Sequence, residues 1–407
     1  MIVTNWTGVE VRALWRVALR VTQEEFAERL GYQPVTIRKW QQATAARPVR
    51  GKSAHDLDTQ LAALNEDQTQ RFWTAVAESR PQESWYRRPS EGIETGYVLP
   101  VASEPVVTID MAAVGRLRTR IRAVDDNYSY EPSTSLLAEA GRCLGQIEIL
   151  RAAAMPELVR RELLAAEAEG STCMSRLVWD ASQRRDNVNA NHYLGQAVDA
   201  ARQLNDRVAE GRALLRQSYV ALYGQKDPVV GLAITTQTVE TASRSSKALA
   251  GVAMLHQAEA HAMLGQLTEC ERALSTADTY LDRIEPDEPA RTLFSPTQRG
   301  QLAGSCYLFL GKAKRAQEIL EGVAEEARNK TKAEAIILGN LSLAYVRQGD
   351  IDGCIDALNR AIDVVENTRG GGGLNIVFDA CRELRPSRDM APVQEVYDRV
   401  LTLMATS

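Results

Sequence analysis

The chain has 407 residues, 44% hydrophobic and 25% charged, the balance of a water-soluble protein with room for two or more domains. No apolar run approaches the length of a membrane span, and the opening residues lack the basic-then-apolar pattern of a secretory leader, so a cytoplasmic protein without membrane contact is expected. The net charge of −5 conceals a basic head, since residues 1–52 hold nine Lys/Arg against four Asp/Glu and the remainder holds 39 against 49. Six cysteines, at 143, 173, 270, 306, 354 and 381, form no Cys-x-x-Cys pair, which argues against zinc and against a disulfide framework and leaves buried thiols.

Taken in order, residues 9–20 read as one helix. Val11, Leu14, Trp15 and Ala18 recur on one side of it and Arg12, Arg16 and Arg20 on another. Those arginines suit either a phosphate backbone or plain solvent. Thr22 and Glu25 have the spacing of a reciprocal capping box, which starts a helix carrying Phe26, Ala27 and Leu30. Gly31 follows at the position where a helix ends in the left-handed region, and Pro34 suits the first turn of a second helix that buries Ile37 and Trp40. This is helix-turn-helix spacing, though an ordinary helical hairpin has the same outline. Past Trp40 runs a loop with Arg47, Arg50 and Lys52, placed to clamp phosphate. Helices at 53–64 (Leu57, Leu61, Leu64) and 66–78 (Phe72, Trp73, Val76) would complete a five-helix globule.

The segment from about 8 to 78 resembles the Cro and phage-repressor type of helix-turn-helix domain, the XRE family. That resemblance implies a double-stranded DNA operator. The second helix would lie in the major groove with Gln33, Pro34, Val35, Thr36, Arg38 and Lys39 toward the bases, and Gln23 would bond a phosphate. Arg38 can present its fork to guanine and Val35 can meet a thymine methyl. Pro34 and Val35 depart from the polar readers common in phage repressors, which shifts the weight to Arg38 and Lys39.

Pro81, Pro89, Gly92, Gly96, Pro100 and Pro105 mark residues 79–107 as a linker, in which Trp85 and Tyr86 suit packing on a neighbour. From 108 to 407 the pattern is helical and repeats. Glycines at 224, 265, 311 and 349 lie 41, 46 and 38 residues apart, each between two amphipathic helices, and the last three have Cys270, Ala316 and Cys354 five residues on. The register around Gly224 is looser and admits a shift of two. Residues 108–210 suit further divergent repeats, one of them built on residues 191–198. The glycine run at 370–373 has no following Gly-Lys-Ser/Thr and reads as a hinge or loop before a last helix pair at 377–384 and 393–404.

These repeats resemble the tetratricopeptide repeat, which completes an all-α expectation: a five-helix DNA-binding head, then an α-solenoid of helix pairs. In that pattern the positions two, six and nine before each turn glycine face the concave side. They are Met263, Glu259 and His256, then Phe309, Ser305 and Leu302, then Arg347, Leu343 and Asn340. Asn340 and Arg347 could hold a peptide backbone or carboxylate, whereas plain solvated positions would look the same. His261 suits a core histidine.

A repressor-type head on a tetratricopeptide body resembles a group of actinobacterial regulators and, more distantly, the peptide-sensing regulators of Gram-positive quorum systems. The resemblance implies a homodimeric transcription regulator whose repeats hold a peptide, small-molecule or protein ligand that modulates DNA binding. The other reading is an interaction scaffold whose helix-turn-helix no longer reads DNA. No cofactor is expected. An enzyme is disfavoured because the four histidines (55, 192, 256, 261) form no metal-binding helix pair and no nucleophile or phosphate-loop motif occurs.

Overall fold

A computed structural model of the chain describes residues 6–44, 47–62, 64–65, 68–69, 71–72, 75–76, 111–153, 155–288, 290–327 and 331–405. The proposed linker, with Trp85 and Tyr86, and Trp73 of the fifth expected helix lie outside them. The chain is all-α and divides into two compact units, Met1–Ala102 and Ser103–Ser407. Among the described residues there is no strand, only isolated bridges pairing Trp6 with Val49 and Thr44 with Arg47. No helix among them is long and apolar enough to cross a membrane.

The first unit contains α1 (Gly8–Arg12), α2 (Gln23–Leu30), α3 (Pro34–Trp40) and α4 (Lys52–Ala62). The single helix expected over 9–20 is instead α1 running into a π-helical turn, Ala13–Ala18. Val11, Leu14 and Ala18 of the expected apolar side are buried and Trp15 is half-buried, while Val17 stands exposed. Thr22 caps α2 as the spacing predicts. Its N–H donates to the Glu25 carboxylate at 2.7 Å and the Glu25 N–H donates to its hydroxyl at 3.2 Å. The Glu25 carboxyl is held below its usual range by that backbone bond first and the Thr22 hydroxyl second. Gly31 adopts φ +71°, and the Tyr32 N–H reaches back to the Ala27 carbonyl at 2.9 Å, which closes the end of α2. Phe26, Ala27, Ile37, Trp40, Leu57, Phe72 and Val76 share one core with Trp6, Val11 and Leu14.

The second unit is a succession of helices packed on their neighbours: α5 (Met111–Asn127), α6 (Ser133–Arg151), α7 (Glu157–Ala181), α8 (Asn187–Leu204), α9 (Arg207–Tyr219) and α10 (Pro228–Ala242). They continue as α11 (Lys247–Met263), α12 (Leu267–Leu281), α13 (Pro296–Phe309), α14 (Ala313–Glu326), α15 (Lys332–Val346) and α16 (Ile351–Thr368). α17 (Gly371–Glu383) and α18 (Ala391–Ala405) end it.

The intra-repeat turns share one shape, a left-handed residue followed by the cap of the next helix. Gly265, Gly311 and Gly349 take φ of +74°, +70° and +81°, where a Cβ is strained and glycine is free. The small residues five positions on, Cys270, Ala316 and Cys354, are fully buried. The turn before them uses Lys226 (φ +56°) instead, followed by Asp227, which caps the next helix, and Asn205 (φ +56°), followed by Asp206, repeats the shape between two pairs. Gly224 is therefore not the turn residue. It belongs to a π-helical turn, Val220–Gln225, and the left-handed position falls two residues later, with buried Gly231 as the small residue five further on. Residues 191–198 lie in the middle of α8, the second helix of its pair, so the turn of that repeat falls before it, at Gln183 (φ +53°) and Arg184 (φ +62°).

The glycine run departs from its expected role. It is neither a hinge nor a loop: residues 371–373 are the buried first turn of α17. A Cβ on Gly371 would lie 2.7 Å from the Asp180 carbonyl oxygen, and one on Gly372 would lie 2.1 Å from the Arg184 guanidinium. Glycine is used here for closeness, because the end of α7 passes against the start of α17.

Candidate functional site

The helix-turn-helix segment presents a cationic surface. Gln33, Val35, Arg38, Lys39, Arg47, Arg50 and Lys52 are exposed, whereas Pro34 and Thr36 are half-buried. No carboxylate pairs with Arg38, Lys39, Arg47, Arg50 or Lys52 among the described residues. Gln23 is differently placed. Its amide nitrogen donates to the Pro34 carbonyl at 2.8 Å, and its oxygen accepts from Gln41 at 3.3 Å, so it ties α2 to α3. Arg12 likewise donates to the Gln41 carbonyl at 3.0 Å, while Arg16 and Arg20 stand exposed.

In the repeat unit, three of the predicted residues meet around a tyrosine no motif singled out. The Tyr223 hydroxyl lies 2.7 Å from His256 Nδ1 and donates to the Glu259 carboxylate, whose other oxygen accepts from Ser305 at 2.6 Å. His256 and Glu259 share one face of α11 at a spacing of three, and Ser305 comes from α13. Burial, with Glu259 beside it, drives the Tyr223 phenol well above its ordinary pKa. His256 is 4% exposed, and its Nε2 is buried with no partner.

The other predicted positions lie apart. Asn340, Leu302 and Leu343 are buried, Met263 is half-buried, and Phe309 is 49% exposed. Arg347 is already occupied: its guanidinium donates to the Glu383 carboxylate at 2.6 Å and to the Leu308 carbonyl at 3.0 Å. His261 is not a core residue. It is half-buried at the end of α11, with its Nδ1 2.7 Å from the Gln266 amide oxygen.

A second group adjoins the first and has no motif in the sequence. The Tyr219 ring centre lies 4.2 Å from that of His256, the two rings tilted by 49°, and the Arg216 guanidinium sits 5.0 Å from the centre of Tyr219. Arg184 lies between Trp179 at 4.9 Å and Tyr223 at 5.6 Å. Arg176 lies 3.5 Å from the centre of Tyr128 and is paired with Asp125 at 2.8 Å. Burial, and then Arg176, lower the pKa of Arg216, while burial raises the Tyr128 and Tyr219 phenols. Arg216, Tyr128 and Tyr219 are each half-buried, so the group forms a partly open recess, the inner cleft.

The cleft is bounded by a buried latch. Lys332 Nζ lies 2.9 Å from Asp180 Oδ2 and 2.9 Å from the Ser133 hydroxyl, which donates to Asp180 at 2.7 Å. The Gly371 N–H donates to the other Asp180 oxygen at 2.8 Å. Burial lowers the Lys332 pKa against the pull of Asp180. Residues about 190 positions apart are thereby fastened together, so α6 and α7 meet α15 and α17 across the solenoid.

No family model matches the chain, and no curated protein matches it. Among solved structures, it shows similarity to a Rap protein complexed with competence and sporulation factor (TM-score 0.43, 11% identity, 72% of this chain and 98% of that one). It also shows similarity to the apo form of the quorum sensor NprR from B. thuringiensis (TM-score 0.43, 10% identity, 74% of this chain and 84% of that one). Apo RapI is similar at TM-score 0.39 and 8% identity, over 72% of this chain and 76% of that one. Scores of this size assign neither ligand nor activity to the chain.

Proposed function

We propose that the chain is a sequence-specific DNA-binding regulator, acting as a homodimer without a catalytic step, whose repeat unit binds a ligand that modulates DNA binding. The observation that carries the reading is the set of five exposed, carboxylate-free cations on and just past α3: Arg38, Lys39, Arg47, Arg50 and Lys52. Such a set attracts phosphate, and a helix in the major groove needs phosphate contacts on its flank to fix its register. Two heads on a dimer would read half-sites about one helical turn apart, so a ligand that shifts the spacing of the heads alters affinity.

Selection of binding sites from random DNA by the full chain, with and without small-molecule extract of its own cells, tests the whole reading. An enriched palindrome whose affinity changes with extract is the expected result. On that site, Arg38→Ala should cost about 1–3 kcal/mol and relax preference at one base pair. Arg50→Ala should weaken all sequences alike and reduce the salt slope by about one ion. An unchanged preferred sequence in the Arg38 variant would remove Arg38 from the reading surface.

The scaffold reading has two observations in its favour. Gln23, the expected phosphate ligand, spends both ends of its amide inside the protein, and the apolar Val35 is 55% exposed on α3. No enriched DNA site in either selection would favour it.

A further inference from the structure

We propose that the inner cleft of the repeat unit binds the anionic head of a small organic ligand, a carboxylate or a phosphate, at the guanidinium groups of Arg216 and Arg184. The inference deepens the reading of this unit as ligand-binding and rests on it. It does not depend on whether the first unit binds DNA.

Charge without a partner marks the cleft. Tyr219 and Tyr223 stand with ring centres 6.0 Å apart, and Arg216 and Arg184 each lie against one of them. Neither arginine has a carboxylate partner among the described residues. Several other arginines of this unit are answered by carboxylates, Arg118 by Glu162 and Glu169, Arg299 by Asp278 and Arg347 by Glu383, whereas Arg212 and Arg388 are not, among the described residues. The nearby cations do not help, since Arg176 has its own Asp125 and Lys332 its own Asp180.

A tyrosine face softens the loss of water around a guanidinium but does not replace an anion. Arg176 adds like charge close enough to lower the Arg216 pKa, so the cleft holds more positive charge than its own carboxylates offset. The planar guanidinium fork matches the two oxygens of a carboxylate or phosphate, and a wall of tyrosine rings excludes water from that contact. Three further polar atoms of the group are also free. Neither the Tyr219 nor the Tyr128 hydroxyl has a partner among the described residues, and the buried His256 Nε2 has none. His256 adjoins Tyr219 at 4.2 Å, so a nearly fully buried ring with one nitrogen unpartnered stands at the edge of the same cleft.

The test uses the full chain and thermal unfolding in citrate, inorganic phosphate and chloride at matched ionic strength, with calorimetric titration of whichever anion stabilises. Saturable stabilisation by citrate or phosphate over chloride is expected, and the better of the two tells carboxylate from phosphate. Arg216→Met should raise the melting temperature of the ligand-free protein, because an unanswered charge is removed, and should abolish the anion effect. Arg216→Lys should keep the charge but lose the fork, weakening the anion by about ten- to a hundredfold. Arg315→Met, which removes an exposed cation paired with Glu271, should leave the anion effect unchanged.

A purely structural Arg216 predicts the opposite pattern, a less stable Arg216→Met protein. That result, or no saturable anion effect on the natural protein, or an effect retained in Arg216→Met, overturns the proposal. Should Arg216→Met not fold, Arg184→Met is expected to behave in the same way and overturns the proposal by the same outcomes. If the anion effect fails while cell extract still alters DNA affinity, only the anion site falls and the regulator reading stands.

Discussion

Asp180→Ala should destabilise the protein by about 3–5 kcal/mol, measured by urea unfolding of the full chain. Asp180 and Lys332 are 2% and 5% exposed, and the carboxylate answers three groups at once: the Lys332 ammonium, the Ser133 hydroxyl and the Gly371 N–H. Removing it leaves a buried cation without counter-charge and a helix-start N–H without an acceptor, both more expensive than the lost contact alone. The double variant Asp180→Leu with Lys332→Met should recover most of the loss, because charge and counter-charge leave together.

The pH dependence gives an independent check. Burial already lowers the Lys332 pKa, and Asp180 is what opposes that shift. Without Asp180 the folded pKa falls further below the unfolded value. The folded state then binds fewer protons than the unfolded state between the two pKa values, so stability rises with pH across that window. The deficit of Asp180→Ala should therefore shrink as pH rises toward the ordinary lysine range. A change below about 1 kcal/mol at neutral pH, or a deficit that grows in alkali, would show that the latch carries little.

What could be read from the sequence was what is local. Thr22, Glu25, Gly31 and Pro34 act within one turn of their own backbone, so spacing alone predicts the end of one helix and the start of the next. The turns at Gly265, Gly311 and Gly349 were equally plain, because glycine is the residue that advertises a left-handed backbone. Lys226 and Asn205 hold the same conformation without advertising it, and the π-helical turn before Lys226 displaced the register from Gly224. The glycine run failed as a hinge for a related reason. Glycine permits both mobility and close approach, and only the proximity of Asp180 and Arg184, remote in sequence, decides between them. Tyr128, Arg176, Arg184, Arg216 and Lys332 had no local signal, since what brings them together is the closing of the solenoid.

Glu259→Ala should cost about 3 kcal/mol, because one buried carboxylate holds together three consecutive helix pairs. Tyr223 comes from the π-helical turn after α9, Glu259 and His256 from α11, and Ser305 from α13. Truncation leaves the Tyr223 and Ser305 hydroxyls and the His256 ring to find new partners in a site that Glu259 leaves 2% exposed. Tyr223→Phe removes one of those bonds from the other side. If the group acts as a unit, the double variant should be less destabilised than the two singles added together, by about 1–3 kcal/mol. Strict additivity would mean that the contacts are independent. The coupling matters for function because Tyr223 also stands beside Arg184, on the wall of the cleft. A ligand that displaced the tyrosine would act on Glu259, and through it on the packing of α11 against α13, so a large coupling energy is what a route from the proposed cleft ligand to that packing requires.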